Sequence, residues 1–240
     1  MRLDLYLSAQ ESISRSEAQR LIKAGSVSVN GKTEIRPSFD VTDSDRIAAD
    51  QTLTRFVSRG GVKLDAALDT FSLNPAGSVC IDVGASTGGF TDCLLSRGAM
   101  HVYAVENGHS QLAESLQDDE RVTSIEGYNA RYLNKSDFPL PIRFAVMDVS
   151  FISQTLILPA LASVLETGAT LVSLVKPQFE VGRGKLGKGG IVRDPSARKD
   201  ALQKVADSAS ACGFVLRGQM ESPIPGGDGN VEYLFWLEKR

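Results

Sequence analysis

Two charged side chains lie at the ends of apolar segments that are typical of buried strands. Asp148 lies at the end of the segment 142–149, and Lys176 directly follows the segment 169–175. Because the carboxyl ends of parallel strands meet at one edge of a sheet, we expect these two side chains to lie close together. An amine and a carboxylate at such an edge can handle a proton during a reaction, or they can form a structural ion pair. Their position at adjacent strand ends favours a chemical role.

A third charged side chain, Glu232, interrupts an apolar segment that runs from residue 231 to residue 237. This segment predicts the last strand of the chain, so we expect Glu232 to be buried. Burial of a carboxylate costs free energy unless the group is paired. The residues alone therefore predict a partner for Glu232, in a structural ion pair or in a site, without identifying that partner.

A glycine-rich turn follows the apolar segment 79–83 and precedes a segment with helical character that starts at Phe90. Its sequence is Asp82-Val83-Gly84-Ala85-Ser86-Thr87-Gly88-Gly89. Glycines at this position let the backbone approach a ligand at the edge of the sheet. Glu106 ends the next predicted strand about twenty residues later, where a carboxylate can accept hydrogen bonds from ribose hydroxyls. The combination predicts a site for a cofactor that contains a nucleoside.

Three classes of enzyme have a turn of this kind. Nicotinamide-dinucleotide enzymes have Gly-x-Gly-x-x-Gly, which this turn does not match. Residues 84–88 match the Gly-x-Ser-x-Gly of α/β-hydrolases, but that fold needs a histidine late in the chain, and the last one here is His109. Enzymes that use S-adenosyl-L-methionine have acids near Asp82 and Glu106, so we favour this cofactor. A turn that binds no ligand would leave Glu106 unexplained.

The composition is that of a globular protein. The chain has 240 residues, a net charge of −3, 42% hydrophobic residues and 23% charged residues. No apolar run reaches the roughly 18 residues of a membrane span, and the start lacks the apolar region of a secretory signal. The three cysteines have no Cys-x-x-Cys spacing, so we expect neither a disulfide framework nor a metal site. These features predict a cytoplasmic protein.

Strand and helix patterns alternate after residue 75, which predicts an α/β domain with a Rossmann-like, mostly parallel sheet. Strands are predicted at 79–83, 101–106, 142–149, 169–175, 214–220 and 231–237. Helices are predicted at 90–97, 152–165 and 196–211. Two adjacent glycines, Gly60 and Gly61, lie at the start of this region, and they suit either a short hinge or a close approach of two backbone segments.

The first part of the chain, residues 1–58, has a different pattern. It predicts two short helices and then a hairpin that turns at Asn30-Gly31. The segments Arg2-Leu3-Asp4, 14–25 and 27–32 resemble the RNA-binding domain of ribosomal protein S4 and its relatives. The unit contains eight Lys and Arg residues and eight Asp and Glu residues, so its charge alone does not indicate RNA. The resemblance implies a small α+β domain that binds RNA.

Six ordered motifs resemble the TlyA family, whose members are described both as haemolysins and as ribosomal RNA 2′-O-methyltransferases. The motifs are residues 57–64, 81–92, 147–153, 174–180, 189–195 and 229–233. The resemblance implies an S4-like RNA-binding domain at 1–58 and an FtsJ-like methyltransferase domain at 59–240 with a seven-stranded, mostly parallel sheet. It implies S-adenosyl-L-methionine-dependent 2′-O-methylation of ribosomal RNA. The two chain ends match the shorter form of the family, so the expected target is a cytidine of the large subunit.

The same resemblance implies a set of site residues. A catalytic Lys-Asp-Lys-Glu tetrad falls on Lys63, Asp148, Lys176 and Glu232. Cofactor contacts fall on Asp82, Gly84, Ala85, Ser86, Gly88, Gly89, Phe90, Glu106, Asn107 and Asp148. Lys176 is expected either to be the general base for the ribose hydroxyl or to stay charged and stabilise the developing alkoxide. Neighbouring carboxylates favour the charged form of an amine, so the sequence leaves both alternatives open.

Basic residues in two places are expected to contact RNA phosphates. Those of the first unit recur at helical spacing, although a solvated helix face would have the same pattern. Those of the segment 181–190 alternate with glycines, which suits either a clamp on RNA or a mobile surface loop. The candidates are Arg2, Arg15, Arg20, Lys23, Arg183, Lys185 and Lys188.

Two functions of other classes remain as alternatives. A membrane-active haemolysin would need an amphipathic or apolar insertion segment or a signal, and the sequence has none. A non-catalytic RNA-binding factor for ribosome assembly would need neither the tetrad nor S-adenosyl-L-methionine. The expected partner is ribosomal RNA or a ribosomal subunit and not a membrane. The oligomeric state is left open, with a monomer preferred.

Overall fold

The computed structural model describes residues 1–23, 25–49, 55–226 and 229–240. Within these ranges, the side chains of Glu17, Arg20 and Arg183 lie outside the description.

The first unit has the two helices and the hairpin that its sequence predicts. Its elements are α1 (Leu3–Gln10), α2 (Arg15–Lys23), β1 (Val27–Val29), β2 (Lys32–Thr33) and β3 (Ile47–Ala49). The strands form an antiparallel sheet in the order β2-β1-β3. Asn30 and Gly31 have φ angles of 53° and 77°, so both adopt the left-handed conformation that a tight hairpin turn requires. A small core joins both helices to β1 through Leu3, Leu7, Ile22 and Val27.

The larger unit is built on a seven-stranded sheet with the order β6-β5-β4-β7-β8-β10-β9. Its strands are β4 (Val79–Val83), β5 (His101–Val105), β6 (Val122–Ile125), β7 (Ile142–Met147), β8 (Leu165–Val175), β9 (Phe214–Glu221) and β10 (Tyr233–Lys239). The first five of these strands are mutually parallel, and β10 is antiparallel to both β8 and β9. The predicted α/β fold with a mostly parallel sheet is confirmed.

Helices cover both faces of this sheet. They are α3 (Arg59–Thr70), α4 (Gly89–Ser96), α5 (Glu114–Gln117), α6 (Leu158–Val164), α7 (Pro177–Glu180) and α8 (Pro195–Ala211). The apolar residues of α3, α4 and α5 pack on one face, and those of α6 and α8 pack on the other. The sheet is therefore the middle layer of three, and its strand ends are the places where charged side chains can reach a ligand.

Two local predictions are corrected by the structure. Gly60 and Gly61 do not form a hinge, because they lie in the first turn of α3. Gly61 instead leaves room for the Phe56 side chain, since a Cβ atom there would lie 2.3 Å from Cγ of Phe56. The predicted close approach of two backbone segments is found with Gly89, where a Cβ atom would lie 3.0 Å from the backbone nitrogen of Gly61. The helix predicted over 152–165 begins only at Leu158, because a short 3₁₀ turn at 154–156 precedes it. Among the described residues, no helix is both long and apolar enough to span a membrane.

Candidate active site

Parallel strands bring the predicted acid and base to one edge of the sheet. Strand β7 pairs with β4 on one side and β8 on the other, so the residues after these strands are neighbours. Asp148 follows β7, and its backbone N–H donates a hydrogen bond of 2.9 Å to the carbonyl of Val83. Lys176 follows β8. The expectation from the sequence that Asp148 and Lys176 lie close together is met by this topology.

The Lys176 ammonium lies against the Asp148 carboxylate. Its Nζ atom is 2.5 Å from Oδ1 of Asp148 and donates a 3.0 Å hydrogen bond to Oγ of Ser150. The contact with Oδ1 is an ion pair without hydrogen-bond alignment, and this buried oxygen has no hydrogen-bond partner among the described residues. Both side chains are mostly but not fully buried, at 12% and 23% exposure. They can therefore meet a substrate while they remain shielded from bulk water.

A second ion pair joins the other two tetrad residues. Lys63 on α3 donates a hydrogen bond of 2.5 Å from Nζ to Oε2 of Glu232. The two side chains are 8% and 3% exposed. The sequence predicted that Glu232 lies within the last strand. Glu232 instead directly precedes this strand, because β10 begins at Tyr233. Its expected buried partner is Lys63, and the pairing offsets the cost of removing both charges from water.

The glycine turn approaches Asp148 through its backbone. Gly84 has a φ angle of +85°, and a Cβ atom there would lie 2.5 Å from the carbonyl oxygen of Asp148. The backbone N–H groups of Gly84 and Ala85 both donate to the carbonyl of Val105, at 2.9 and 3.1 Å. The turn is therefore fixed between β5 and the residue that follows β7, and a side chain at position 84 would not fit.

A cavity of about 650 Å³ opens on one side of this turn. It is lined by Gly84, Ser86, Val105, Glu106, Asn107, Gly108, Gln111, residues 128–131, residues 148–152 and Ile157. Glu106 lies at its wall, and its two carboxylate oxygens accept hydrogen bonds from the N–H groups of Ser86 and Gly108, at 2.9 and 2.8 Å. These bonds orient the carboxylate, and its remaining acceptor capacity can meet ribose hydroxyls. The size suits a nucleoside-sized ligand.

A second cavity of about 310 Å³ lies on the other side of the turn. Its lining residues are Lys23, Ser58, Arg59, Gly60, Lys63, residues 84–87, Gly89, Phe90, Asp148, Ser150 and Lys176. Four residues line both cavities: Gly84, Ser86, Asp148 and Ser150. Both lysines of the tetrad face this smaller cavity. A ligand in the larger cavity would therefore meet a substrate in the smaller one near Asp148.

Asp82 lies beneath the turn and not at a cavity wall. Its side chain is fully buried, and Thr91 Oγ1 donates a 2.7 Å hydrogen bond to its Oδ2 atom. Burial, together with the nearby carboxylates of Asp148 and Glu106, raises the pKa of Asp82 to about 7, against the lowering effect of the Thr91 bond. Within the described residues, Oδ1 of Asp82 has no hydrogen-bond partner, and neither Asp82 nor Gly88 lines either of these two cavities. Of the other predicted cofactor contacts, Ala85, Gly89 and Phe90 line only the smaller cavity.

Sequence reasoning assigned no role to several residues of the larger cavity. Gln111, Tyr128 and Asn129 lie in irregular segments and Arg131 lies in a short 3₁₀ turn at 130–132, so no periodicity marks them. Phe151 was part of a motif without a role. It is 92% exposed with a φ angle of +63°, and its ring centroid is 5.1 Å from that of Phe179. A bulky residue that is exposed in the left-handed region is uncommon, which makes this position a candidate for a functional contact.

Two of the RNA candidates in the first unit share a buried acceptor. The carboxylate of Asp4 is fully buried and accepts hydrogen bonds from Arg2, Arg15 and Gln19. These bonds, that of Arg2 above all, hold the pKa of Asp4 well below its usual range. The arginine side chains remain 42% and 52% exposed. They are thus oriented by Asp4 and can still present N–H groups to a phosphate.

The other RNA candidates have different surroundings. Lys23, the last residue of α2, lines the smaller cavity. Lys185 is paired with Asp200 at 2.9 Å, which raises the pKa of Lys185, and Lys188 is exposed. The side chains of Arg20 and Arg183 lie outside the described residues. The segment 181–190 contains two short 3₁₀ turns, at 183–185 and 188–190.

Comparison with known proteins identifies both units. The FtsJ-like methyltransferase family matches residues 56–239, and the S4 domain matches residues 1–47. The chain belongs to the FtsJ-like methyltransferase family. The cofactor of this methyltransferase domain is S-adenosyl-L-methionine. The resemblance to TlyA proteins that the motifs indicate is confirmed by the relatives.

Three similar proteins illustrate this family membership. The 16S/23S rRNA (cytidine-2′-O)-methyltransferase TlyA of Mycobacterium tuberculosis is 45% identical over 225 residues, which are 93% of this chain and 84% of that protein. Hemolysin A of Brachyspira hyodysenteriae is 44% identical over 98% of both chains. A presumed hemolysin from Streptococcus thermophilus has a solved structure with 45% identity and a TM-score of 0.80, covering 100% of this chain and 88% of that one.

The residues of this FtsJ-like domain fit S-adenosyl-L-methionine. The glycine turn has no side chain at Gly84, where a Cβ atom would collide with the carbonyl oxygen of Asp148. Ser86 and Glu106 line the larger cavity where a nucleoside would lie, and Asp148, whose Oδ1 atom is paired with Lys176, lines both cavities. Gly84, Ser86, Glu106 and Asp148 are therefore the residues that would hold the cofactor.

Proposed function

We propose that this protein methylates the 2′-oxygen of a cytidine ribose in ribosomal RNA. The observation that carries the proposal is the arrangement of two lysine–carboxylate pairs, Lys176 with Asp148 and Lys63 with Glu232, around one cleft beside the cofactor cavity. The names of relatives that are 45% identical over most of the chain support ribosomal RNA and the cytidine 2′-oxygen as target.

S-Adenosyl-L-methionine supplies an electrophilic methyl group on a sulfonium. The protein must place the ribose hydroxyl in line with that group and assist the loss of its proton. The contact with the Asp148 carboxylate, 2.5 Å from Nζ to Oδ1, holds the Lys176 side chain at the wall of the cleft. We therefore assign Lys176 as a hydrogen-bond donor to the ribose oxygen that stabilises the negative charge as the hydroxyl proton passes to solvent. Ser150, which accepts a bond from Lys176, fixes the direction of the ammonium group.

Lys63 lines the same cleft. Its bond to Glu232 fixes the position of its ammonium group in a site that is almost closed to water. A second positive group at this place orients the hydroxyl and strengthens the stabilisation of negative charge, because electrostatic interactions are stronger where water is excluded. The two lysines thus act on one oxygen from different elements, α3 and the end of β8.

The first unit would hold the RNA substrate. Support comes from the S4 match and from the partly exposed side chains of Arg2 and Arg15. It also comes from Lys23, which lines the catalytic cleft. We propose the division into a domain at 1–58 and a domain at 59–240, a large-subunit cytidine as the target, and the cytoplasm, where ribosomal subunits are found, as the location. The protein would act as a monomer on a ribosomal subunit.

Tritium transfer from labelled S-adenosyl-L-methionine tests this proposal. Free ribosomal RNA and both ribosomal subunits, prepared from cells that lack this protein, would be incubated with the wild type and with Lys176→Ala. We expect label at one ribose, resistant to alkaline hydrolysis, with wild-type protein and little or none with the variant. Lys135→Ala is a matched control, since Lys135 is exposed and paired with Glu166 outside the cleft.

Calorimetric titration with S-adenosylhomocysteine accompanies the transfer assay. Binding by Lys176→Ala would exclude loss of the fold or of the cofactor site as the reason for inactivity. Binding by the wild type without transfer to any RNA would contradict the proposed substrate. Absence of binding by the wild type would contradict the cofactor assignment.

A further inference from the structure

Glu180 is a buried carboxylate to which the proposed mechanism gives no role. It is the last residue of α7, four residues after Lys176, and its side chain is 1% exposed. A buried carboxylate is retained at a cost unless its charge is compensated by hydrogen bonds and an ion pair. Its contacts therefore indicate what it does.

Those contacts reach the segment that carries Asp148. Ser153 Oγ donates a bond of 2.5 Å to Oε2 of Glu180, and the backbone N–H of Gln154 donates a bond of 2.8 Å to Oε1. Ser153 and Glu180 are also the last residues of the two sequence motifs at 147–153 and 174–180. The ends of the two motifs are thus in direct contact. One motif contains Asp148 and the other contains Lys176.

Gln154 extends this connection into the sheet. Its side-chain amide donates a 2.7 Å bond to the carbonyl of Leu174 and accepts a 2.7 Å bond from Ser173 Oγ. Gln154 and Ser173 are 2% and 0% exposed. The segment after β7, which starts at Asp148, and the segment after β8, which starts at Lys176, are therefore each fixed at both ends. One end joins the strand, and the other is held by the hydrogen bonds of Glu180 and Gln154.

Lys204 on α8 completes the surroundings of Glu180. Its ammonium donates bonds of 3.3 Å to Oε2 and 2.9 Å to the backbone carbonyl of Glu180. The carboxylate thus has a compensating charge from a third element. Lys204 is 47% exposed, so it can provide this charge without full desolvation.

We propose that Glu180 is a positioning residue that sets the distance and direction between Asp148 and Lys176 by tying the segments 148–154 and 176–180 together. The inference rests on the proposed function, because it assigns the purpose of the tie to that methyl transfer. Glu180 touches neither cavity in the described structure. Its effect must therefore pass through the two segments that it joins.

Two substitutions at this position separate positioning from simple stability. Glu180→Ala removes this acceptor from the half-buried hydroxyl of Ser153 and from the buried N–H of Gln154, so both segments can shift. Small displacements of reacting groups can cost up to about 100-fold in rate. We expect Glu180→Ala to lower kcat by about 10- to 100-fold. Glu180→Gln keeps one acceptor oxygen for Gln154 and should regain most of that loss.

The measurement is kcat per S-adenosylhomocysteine-binding site, with that ligand's Kd from calorimetry and the Tm of each variant. Glu166→Gln is the matched control, because it removes one acid of β8 that pairs with Lys135 away from the site. We expect wild-type kcat for this control. For Glu180→Ala we expect the Kd to rise by a smaller factor than kcat falls, since Glu106 and the glycine turn do not depend on Glu180 whereas the position of Asp148 does.

Each outcome has a distinct meaning. A lower kcat per binding site in Glu180→Ala, partly restored in Glu180→Gln, would support positioning. A lower Tm with an unchanged kcat per binding site would overturn it and leave Glu180 as a stabilising residue only. The proposed function fails on a different result, which is the absence of methyl transfer by the wild type itself.

Discussion

Lys63 and Glu232 are 169 positions apart in the chain, and yet the Lys63 ammonium donates a 2.5 Å hydrogen bond to the Glu232 carboxylate in a site almost closed to solvent. One residue belongs to a helix that precedes the first strand of the large sheet, and the other directly precedes the last strand. The contact therefore joins the start and the end of the catalytic domain at its active site.

This pair predicts a strong dependence of stability on both partners. Glu232→Gln leaves the buried ammonium without its counter-charge, so the free energy of unfolding should fall by about 3–5 kcal/mol. Lys63→Met should cost a similar amount. The double variant should lie closer to the wild type than the sum of both, but without methyltransferase activity. Urea unfolding of all four proteins measures the coupling, and additive losses would contradict the account.

Asp82 predicts an unusual pH dependence of stability. Its pKa is raised from 3.8 to about 7 in the folded protein, so the folded state binds an extra proton between these values. Its contribution to the free energy of unfolding therefore falls as pH rises from about 4 to about 7 and is constant above that range. Asp82→Asn removes this loss while it keeps an acceptor for Thr91.

The difference in unfolding free energy between Asp82→Asn and wild type should therefore grow with pH and level off near pH 8, at up to about 4 kcal/mol. Denaturant unfolding at intervals from pH 4 to pH 8 measures this difference. Asp207→Asn, a substitution on the surface of α8, corrects for the general effect of one charge. A constant difference across the whole range would show that Asp82 is ionised throughout.

We expect that removal of the negative charge of Asp4 lowers the affinity of the protein for RNA. Asp4→Asn deprives Arg2 and Arg15 of their common carboxylate. The change in net charge alone would strengthen binding to phosphates, whereas the loss of orientation would weaken it several-fold. Filter binding to the large ribosomal subunit distinguishes these effects. Asp43→Asn makes the same charge change at an exposed position of the same unit and should bind at least as tightly as wild type.

Gly84 predicts a loss of cofactor affinity when it carries a side chain. Gly84→Ala places a Cβ atom 2.5 Å from the carbonyl of Asp148 at a φ angle of +85°. The turn must therefore move, and S-adenosylhomocysteine should bind at least about tenfold more weakly, a difference of about 1.4 kcal/mol. Gly182→Ala, where a Cβ atom has no neighbour within 4 Å among the described residues, should bind as the wild type does.

The sequence predicted those parts of the site that strand ends determine. Asp148, Lys176 and Glu106 follow regular apolar strands, so the topology of a parallel sheet was enough to bring them to one edge. The bond between Lys63 and Glu232 could not be derived, since no periodicity links a helix and a strand so far apart in the chain. The S4-type arginines were identified by motif, but their common acceptor Asp4 became visible only when α1 and α2 were packed together.

Other differences arise where local contacts override a pattern. The apolar residues from 152 onward predicted one helix, but Ser153 and Gln154 bond to Glu180, and the helix begins only at Leu158. The glycines at 60 and 61 suited a hinge, whereas Phe56 occupies the space beside Gly61 within the first turn of α3. Such contacts depend on residues that are distant in the chain or outside the repeating pattern.

Mass spectrometry of nucleosides tests the central claim most directly. Large ribosomal subunits from cells that lack this protein would be treated with S-adenosyl-L-methionine and either wild type or Lys176→Met, and their RNA digested to nucleosides. The account predicts one additional 2′-O-methylcytidine per subunit with the wild type, and a rate at least about 100-fold lower with the variant. Methylation on a base, or equal rates for the two proteins, would contradict the assignment of the Lys176–Asp148 pair to ribose methylation.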